Sequence, residues 1–257
     1  MGTYAETFNS DLYPSNVVKT SGSILLVGNV NDVFKEPTVK TITVDSGASP
    51  TADGTTLDLT ADVETTLRKG EVLTFEGGGT EVVIAEETDI STSSTTVNVE
   101  PLPDPPPAAD ESAKTWALLR LLSPTALPVS GESDSVDRKD YTYGLQKEEV
   151  KTSTTLSSSV EMINQVGDKA YHSIIFPASM TAQNIFAMIV TGGEHVWGAV
   201  QVSSIEDSNE MEEISRPSFD LMFQAPWARV SAFDHLSTDK QDELNKVRNL
   251  AGLTSLS

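Results

Sequence analysis

The sequence predicts a mainly β protein with a small helical complement. Short runs such as Thr56-Leu57-Asp58-Leu59 and Val97-Asn98-Val99 alternate apolar and polar residues, the period of a half-buried strand. Longer apolar runs, "SILLVG" and "NIFAMIV", are closed by Gly, Asn and Thr, as buried strands running into turns are. Only "STDKQDELNKVRNLAG" (237–252) carries a full set of helix signals. Thr238 and Gln241 fit a capping box, Leu244, Val247 and Ala251 share a face, and Gly252 is a natural stop.

The elements follow in order. Residues 1–16 are polar and read as an extended arm, and 17–30 as a short strand, a Ser-Gly turn and a buried strand Ile24 to Val27. Residues 38–102 form a compact all-β module, with a hairpin "LTFEGGGTEVVI" whose tip is Gly77-Gly78-Gly79. A stiff Pro-rich spacer, 103–112, closes it, so the module reads as an insertion between residues 1–37 and 113–257. The segment 123–144 reads as a long polar loop. "EEVKTSTTLSSSVEMI" (148–163) is a β-branched strand with Leu156 and Val160 on one face and Ser157 and Ser159 on the other. "VGDKAYHSIIFPASM" (166–180) predicts a short helix ended by Pro177, and residues 184–205 a hairpin across a Thr-Gly-Gly turn.

Charge excludes several functions. The chain has 17 basic and 38 acidic residues, a net charge of −21, and 15 acids against 3 bases between Lys40 and Glu111. Such a chain repels polyphosphates and anionic membranes instead of holding them by counterion release. No apolar run approaches the roughly twenty residues of a membrane span. The N-terminus lacks the basic start and apolar core of a signal peptide. With no cysteine, disulfides, thiolate metal sites and a Cys nucleophile are out.

Catalytic patterns are weak. "TITVDSGAS" (41–49) presents Asp45-Ser46-Gly47 as an aspartic peptidase would, but that chemistry needs two such loops sharing a proton. One loop is present, so the motif reads as a strand running into a turn. His172, His195 and His235 show no metal-ligand spacing. "EDSNEMEE" (206–213) departs from a calcium loop at Met211 and lacks its glycine. The expectation is a protein that is not an enzyme and needs no cofactor or metal.

The order of elements resembles that of the tail tube protein, the major tail protein of long-tailed bacteriophages. The resemblance covers residues 1–35 and 115–230. It rests on "GNVNDVF", the polar "GESDSVDRKDYTYG", the Ser/Thr-rich strand, the helix opening with "VGDKAY", and the hairpin "IFAMIVTGGEHVWGAVQVSSIED". "LRKGEVLTFEGGGTEVVI" resembles small β insertions of phage structural proteins.

That resemblance implies a tail-tube-like β-sandwich or barrel with a flanking short helix and a C-terminal helix. Subunits would close into hexameric rings, stacked as a tube in the virion tail and assembled in the host cytoplasm. Partners would be further copies of the chain and the tape-measure, baseplate and tail-terminator proteins. Double-stranded DNA would pass through the bore without specific binding. Glu148, Glu149, Glu206, Asp207 and Glu210 are then candidates for the bore lining. Asp134, Asp137, Arg138, Lys139, Tyr141 and Tyr143 are candidates for an inter-ring loop. The competing expectations are a β-rich adhesin or other tail, baseplate or decoration protein, with Trp116, Trp197 and Trp227 as possible stacking platforms, and, last, an aspartic-type peptidase.

Overall fold

The computed structural model describes residues 23–30, 37–139, 147–191, 194–207, 215–231 and 233–256. The first strand is β1 (Ile24–Asn29). A small β unit follows: β2 (Val39–Val44), β3 (Thr56–Ala61), β4 (Thr65–Leu67), β5 (Val72–Thr74), β6 (Glu81–Val83), β7 (Thr88–Ile90), β8 (Thr95–Asn98) and β9 (Ser112–Trp116). Then come β10 (Leu119–Arg120), β11 (Pro124–Ala126), β12 (Val129–Lys139) and β13 (Lys147–Met162). After α1 (Phe176–Thr181) the chain forms β14 (Asn184–Thr191), β15 (Glu194–Val202), β16 (Glu206–Asp207) and β17 (Pro217–Ser231), and ends in α2 (Thr238–Leu250).

The main sheet is antiparallel throughout, in the order β10-β1-β14-β15-β17-β13-β11, with β12 on β13 and β16 on β17. It curls as a half-barrel, and the fold is mainly β. β14 is apolar at successive positions because both its faces are covered. Ile185, Ala187 and Ile189 face the core under α1, while Phe186 and Met188 face α2 and Trp116. β1 divides the same way, with Leu25 and Val27 on one side and Leu26 on the other.

Three local expectations are corrected. The polar stretch 123–144, read as a loop, contains strands β11 and β12, because residues 129–139 find a full ladder on β13. Polarity alone does not separate a strand from a loop. The helix does not end at Pro177. A π turn, Tyr171–Ile175, leads into α1 and places Pro177 in its first turn, where a missing N–H costs least. The capping box does not form: Ser237 is the N-cap without a side-chain bond, and Gln241 Nε2 donates to Phe233 O at 3.0 Å.

Asp168 is fully buried and fixes the start of the helical segment. Its Oδ1 accepts from Tyr171 N at 3.1 Å and its Oδ2 from Leu122 N at 2.8 Å. One carboxylate thus caps the helix and ties it to the chain beyond β10. Asp168→Ala leaves both N–H groups unpaired and is expected to cost about 1–3 kcal/mol in chemical denaturation.

The small unit has a four-stranded sheet, β8-β3-β2-β9, and two short ladders, β4-β7 and β5-β6. Ile42, Leu59, Leu73, Phe75, Ile84 and Val97 fill its core. The Gly-rich tip 77–79 lies between β5 and β6, as the sequence predicts. β9 follows the Pro-rich segment and pairs with β2. Beyond β9 the chain crosses β1 at Gly28. A Cβ there would lie 2.6 Å from Leu118 Cδ2 and 3.0 Å from Ala117 O, so only glycine admits that crossing.

The unit meets the main sheet at a buried ion cluster. Glu71 Oε1 is 3.0 Å from Lys40 Nζ, and its Oε2 is 3.1 Å from Arg68 Nε. Relative exposures are 1% for Glu71, 0% for Lys40 and 8% for Arg68. Burial alone would raise the Glu71 pKa, but Arg68 and Lys40 outweigh it and hold the carboxyl below its ordinary value. Lys40 is itself pulled down by burial, which its pairing with Glu71 offsets only in part. The cluster therefore fixes position at an energetic cost.

Candidate functional site

A bare half of the main sheet is the candidate site. On β13, Leu156, Ser158, Val160 and Met162 are buried, while Thr155, Ser159 and Glu161 are exposed. On β17, Phe219, Leu221 and Phe223 are buried, while Asp220 and Met222 are exposed. The register sets Ser159 opposite Asp220, Glu161 opposite Ser218, and Ser218 opposite Glu206 of β16. Residues directly opposed in an antiparallel pair share a face, so Glu161, Asp220 and Glu206 share one. None of the strand positions 155–161, 201–207 or 217–223 is basic.

The face is ordered by its own hydroxyls. Ser159 Oγ donates to Asp220 Oδ1 at 2.6 Å, and Asp220 N donates to Ser203 Oγ at 2.8 Å. Ser130 and Ser157 Oγ atoms lie 3.2 Å apart on the neighbouring strand pair. α2 covers the other half of this side, over β1, β14 and the start of β15. The result is a smooth hydroxyl surface carrying only negative charge at its strand positions. It can repel an anionic polymer and offers it no cation to grip.

The residues singled out from sequence fall unevenly. Glu206 lies on this face, and Asp207 is its neighbour on β16, opposite Pro217. Glu148 and Glu149 are on β13 opposite Arg138 and Asp137, and Asp134 and Lys139 pair with Ser153 and Lys147. Asp134, Asp137, Arg138 and Lys139 are thus in strand β12. Glu210, Tyr141 and Tyr143 lie outside the described residues. Glu161 and Asp220 were missed, although "SSSVEM" and "SFDLMF" already alternate so as to set both carboxylates opposite an apolar face.

No protein-family model matches the chain, and no curated protein matches it. Among solved structures, it is similar to a chain in the tail of an empty gene transfer agent (GTA) particle, refined helically with C6 symmetry. That match has 11% identity and a TM-score of 0.39, and covers 45% of this chain and 87% of the other. A chain in the virion of the native GTA particle matches with the same identity and TM-score, over 44% of this chain and 89% of that one.

The other candidates have structural roles in view. Asp45 Oδ1 accepts from Gly47 N at 2.8 Å, and Ala48 N donates to Asp45 O at 2.9 Å, the turn expected of Asp-Ser-Gly. Among the described residues no three His, Cys, Asp or Glu side chains gather as a metal site. Trp116 is buried edge-on against Phe186. Trp197 and Trp227 line a cleft of about 660 Å³ between the sheet and α2.

Proposed function

We propose that this chain is a structural virion protein whose copies close into hexameric rings and stack into a tail tube for DNA. One observation carries the reading. β12 and β13 continue beyond the sheet as a two-stranded ribbon, since, among the described residues, 147–155 of β13 pair only with β12. Nine residues of strand reach roughly 30 Å, and a lone ribbon is at best marginally stable in water. Its free edges are suited to pairing with neighbouring copies, as are the unclosed ends of the main sheet at β10 and β11. A contact joining two different edges is heterologous, and such contacts generate rings when the rotation closes.

The acidic hydroxyl face then lines the bore, with Glu161, Asp220 and Glu206 set to repel phosphate over a screening length of about 8 Å. Glu148, Glu149, Asp207 and Glu210 belong to the same proposal as further lining candidates. Asp134, Asp137, Arg138 and Lys139, on the ribbon, would reach the next ring, and Tyr141 and Tyr143 are proposed for the same contact. The acidic unit 38–102 would stand on the outside as an insertion, serving solubility.

Negative-stain electron microscopy of the purified chain is expected to show rings or tubes. Replacing residues 134–153 by an Asn-Gly turn should leave a folded subunit that no longer forms tubes. Monomers at every concentration, or tubes that survive the deletion, would overturn the reading.

A further inference from the structure

The C-terminal residues pass between the small unit and the main sheet and bond to both. Arg68 Nη2 donates to Ala251 O at 2.7 Å, Val72 N to Gly252 O at 3.1 Å, and Thr115 Oγ1 to Leu250 O at 2.9 Å. Ser255 Oγ donates to Glu81 Oε1 at 2.9 Å. Gly252 has φ +70°, and a Cβ there would lie 2.6 Å from both Arg68 Nη2 and Glu71 Cγ. The tail therefore completes the buried ion cluster.

On the sheet side the tail is held through Arg248. Its Nε donates to Thr254 O at 2.8 Å, and its Nη1 donates to His195 Nε2 at 2.6 Å. Arg248 has no lone pair to offer, so His195 can accept this bond only as a neutral ring with its proton on Nδ1. That ring is 4% exposed, and its Nδ1 has no partner among the described residues. The groups around it are few. β14 sets Val190 opposite and β17 sets Val230. Arg229 of β17 is paired with Glu194 of β15, and Arg248 is the charge contributed by α2.

We infer that residues 251–256 are a clasp holding the small unit on the main sheet, and that protonation of His195 opens it. A proton on Nε2 removes the acceptor for Arg248 and sets two cations face to face under α2. Arg248 must then leave, and with it the bond to Thr254. Burial, and next to it Arg248, lower the His195 pKa from 6.5 to about 4. A lowered histidine pKa contributes stability that is complete above the open-state value and declines as pH falls toward the closed-state one. The working window is therefore pH 6.5 to 4. The inference stands apart from the ring reading, because a monomer would show it equally.

Hydrogen exchange on the full chain tests it, with rates corrected for intrinsic pH dependence. Between pH 7.5 and 5, protection at Val72 and Leu253, whose amides bond to Gly252 O and Arg248 O, should fall roughly thirtyfold. Protection along β13 and β17 at positions 156–161 and 218–223 should hold. His195→Gln, which keeps an acceptor but cannot titrate, should flatten the response. In the unmodified chain, followed to lower pH, the fall must level off at the His195 ring titration read by NMR, a check independent of how the variant folds. Unchanged Val72 protection, a fall that levels off away from that titration, or an equal response in a folded His195→Gln protein would overturn it.

Discussion

Glu71→Ala is expected to lower stability by about 3–5 kcal/mol, because it leaves Lys40 and Arg68 buried without their shared counter-ion. Both cations are near or below a tenth exposed, and neither can recover water without opening the junction. The Ala251 carbonyl that accepts from Arg68 and the Thr66 carbonyl that accepts from Lys40 are neutral, so they do not replace a carboxylate. Equilibrium denaturation measures the loss. A combined Lys40→Met, Arg68→Met, Glu71→Leu variant should recover part of it, since apolar groups of similar volume often substitute for buried ions with little penalty. The acid limb carries the same signature. With its pKa lowered in the fold, Glu71 contributes stability above its unfolded value, and that contribution is lost as pH falls through the folded one. This loss lies on the acid side of pH 4.5, below most of the His195 window, so the two transitions separate. A Glu71→Ala protein as stable as the parent would mean that the cluster is hydrated.

If the proposed tube forms, enclosure of the acidic face is the second large effect expected. The chain has no cysteine, so a single introduced thiol is a unique reporter. Ser159→Cys sits on the acidic face, and Ser94→Cys in the exposed turn between β7 and β8. In dissociated subunits both should react with a polymer-linked maleimide. In tubes, Ser94→Cys should still react while Ser159→Cys is almost fully protected, yet remains open to a small maleimide that can diffuse along the bore. Equal polymer labelling at both sites would place the face outside. A companion variant, Glu161→Lys with Asp220→Lys, should turn an inert surface into one that retains double-stranded DNA, with binding lost as salt rises.

Much of the fold was legible because it depends on local periodicity. "NIFAMIV" reads as the first strand of a hairpin, and β14 pairs with β15 as one. "EEVKTSTTLSSSVEMI" separates Leu156 and Val160 from Ser157 and Ser159, and the sheet buries the first pair. The helix stop at Gly252 was visible for the same reason, since a left-handed residue after a helical run needs no distant partner. Strands β11 and β12 were not visible, because a polar strand looks like a loop until its ladder partner is known. Pro177 misled in a similar way: a proline ends a regular helix, but a preceding π turn accommodates it. The acidic face was half legible. Each strand's alternation was in the sequence, but the pairing of Glu161, Ser218 and Glu206 depends on register across three strands.

The class of structure, the sign of the surface and the absence of thiol chemistry were already settled by the residues alone, because these follow from composition and from spacing along one strand. It took the packed chain to show that Arg68, in its cluster with Lys40 and Glu71, meets the Ala251 carbonyl at the end of α2, and that His195 meets Arg248. Those contacts join residues up to 183 positions apart. No local rule of propensity or pattern reaches across such a distance, and the packing of whole elements alone brings them together.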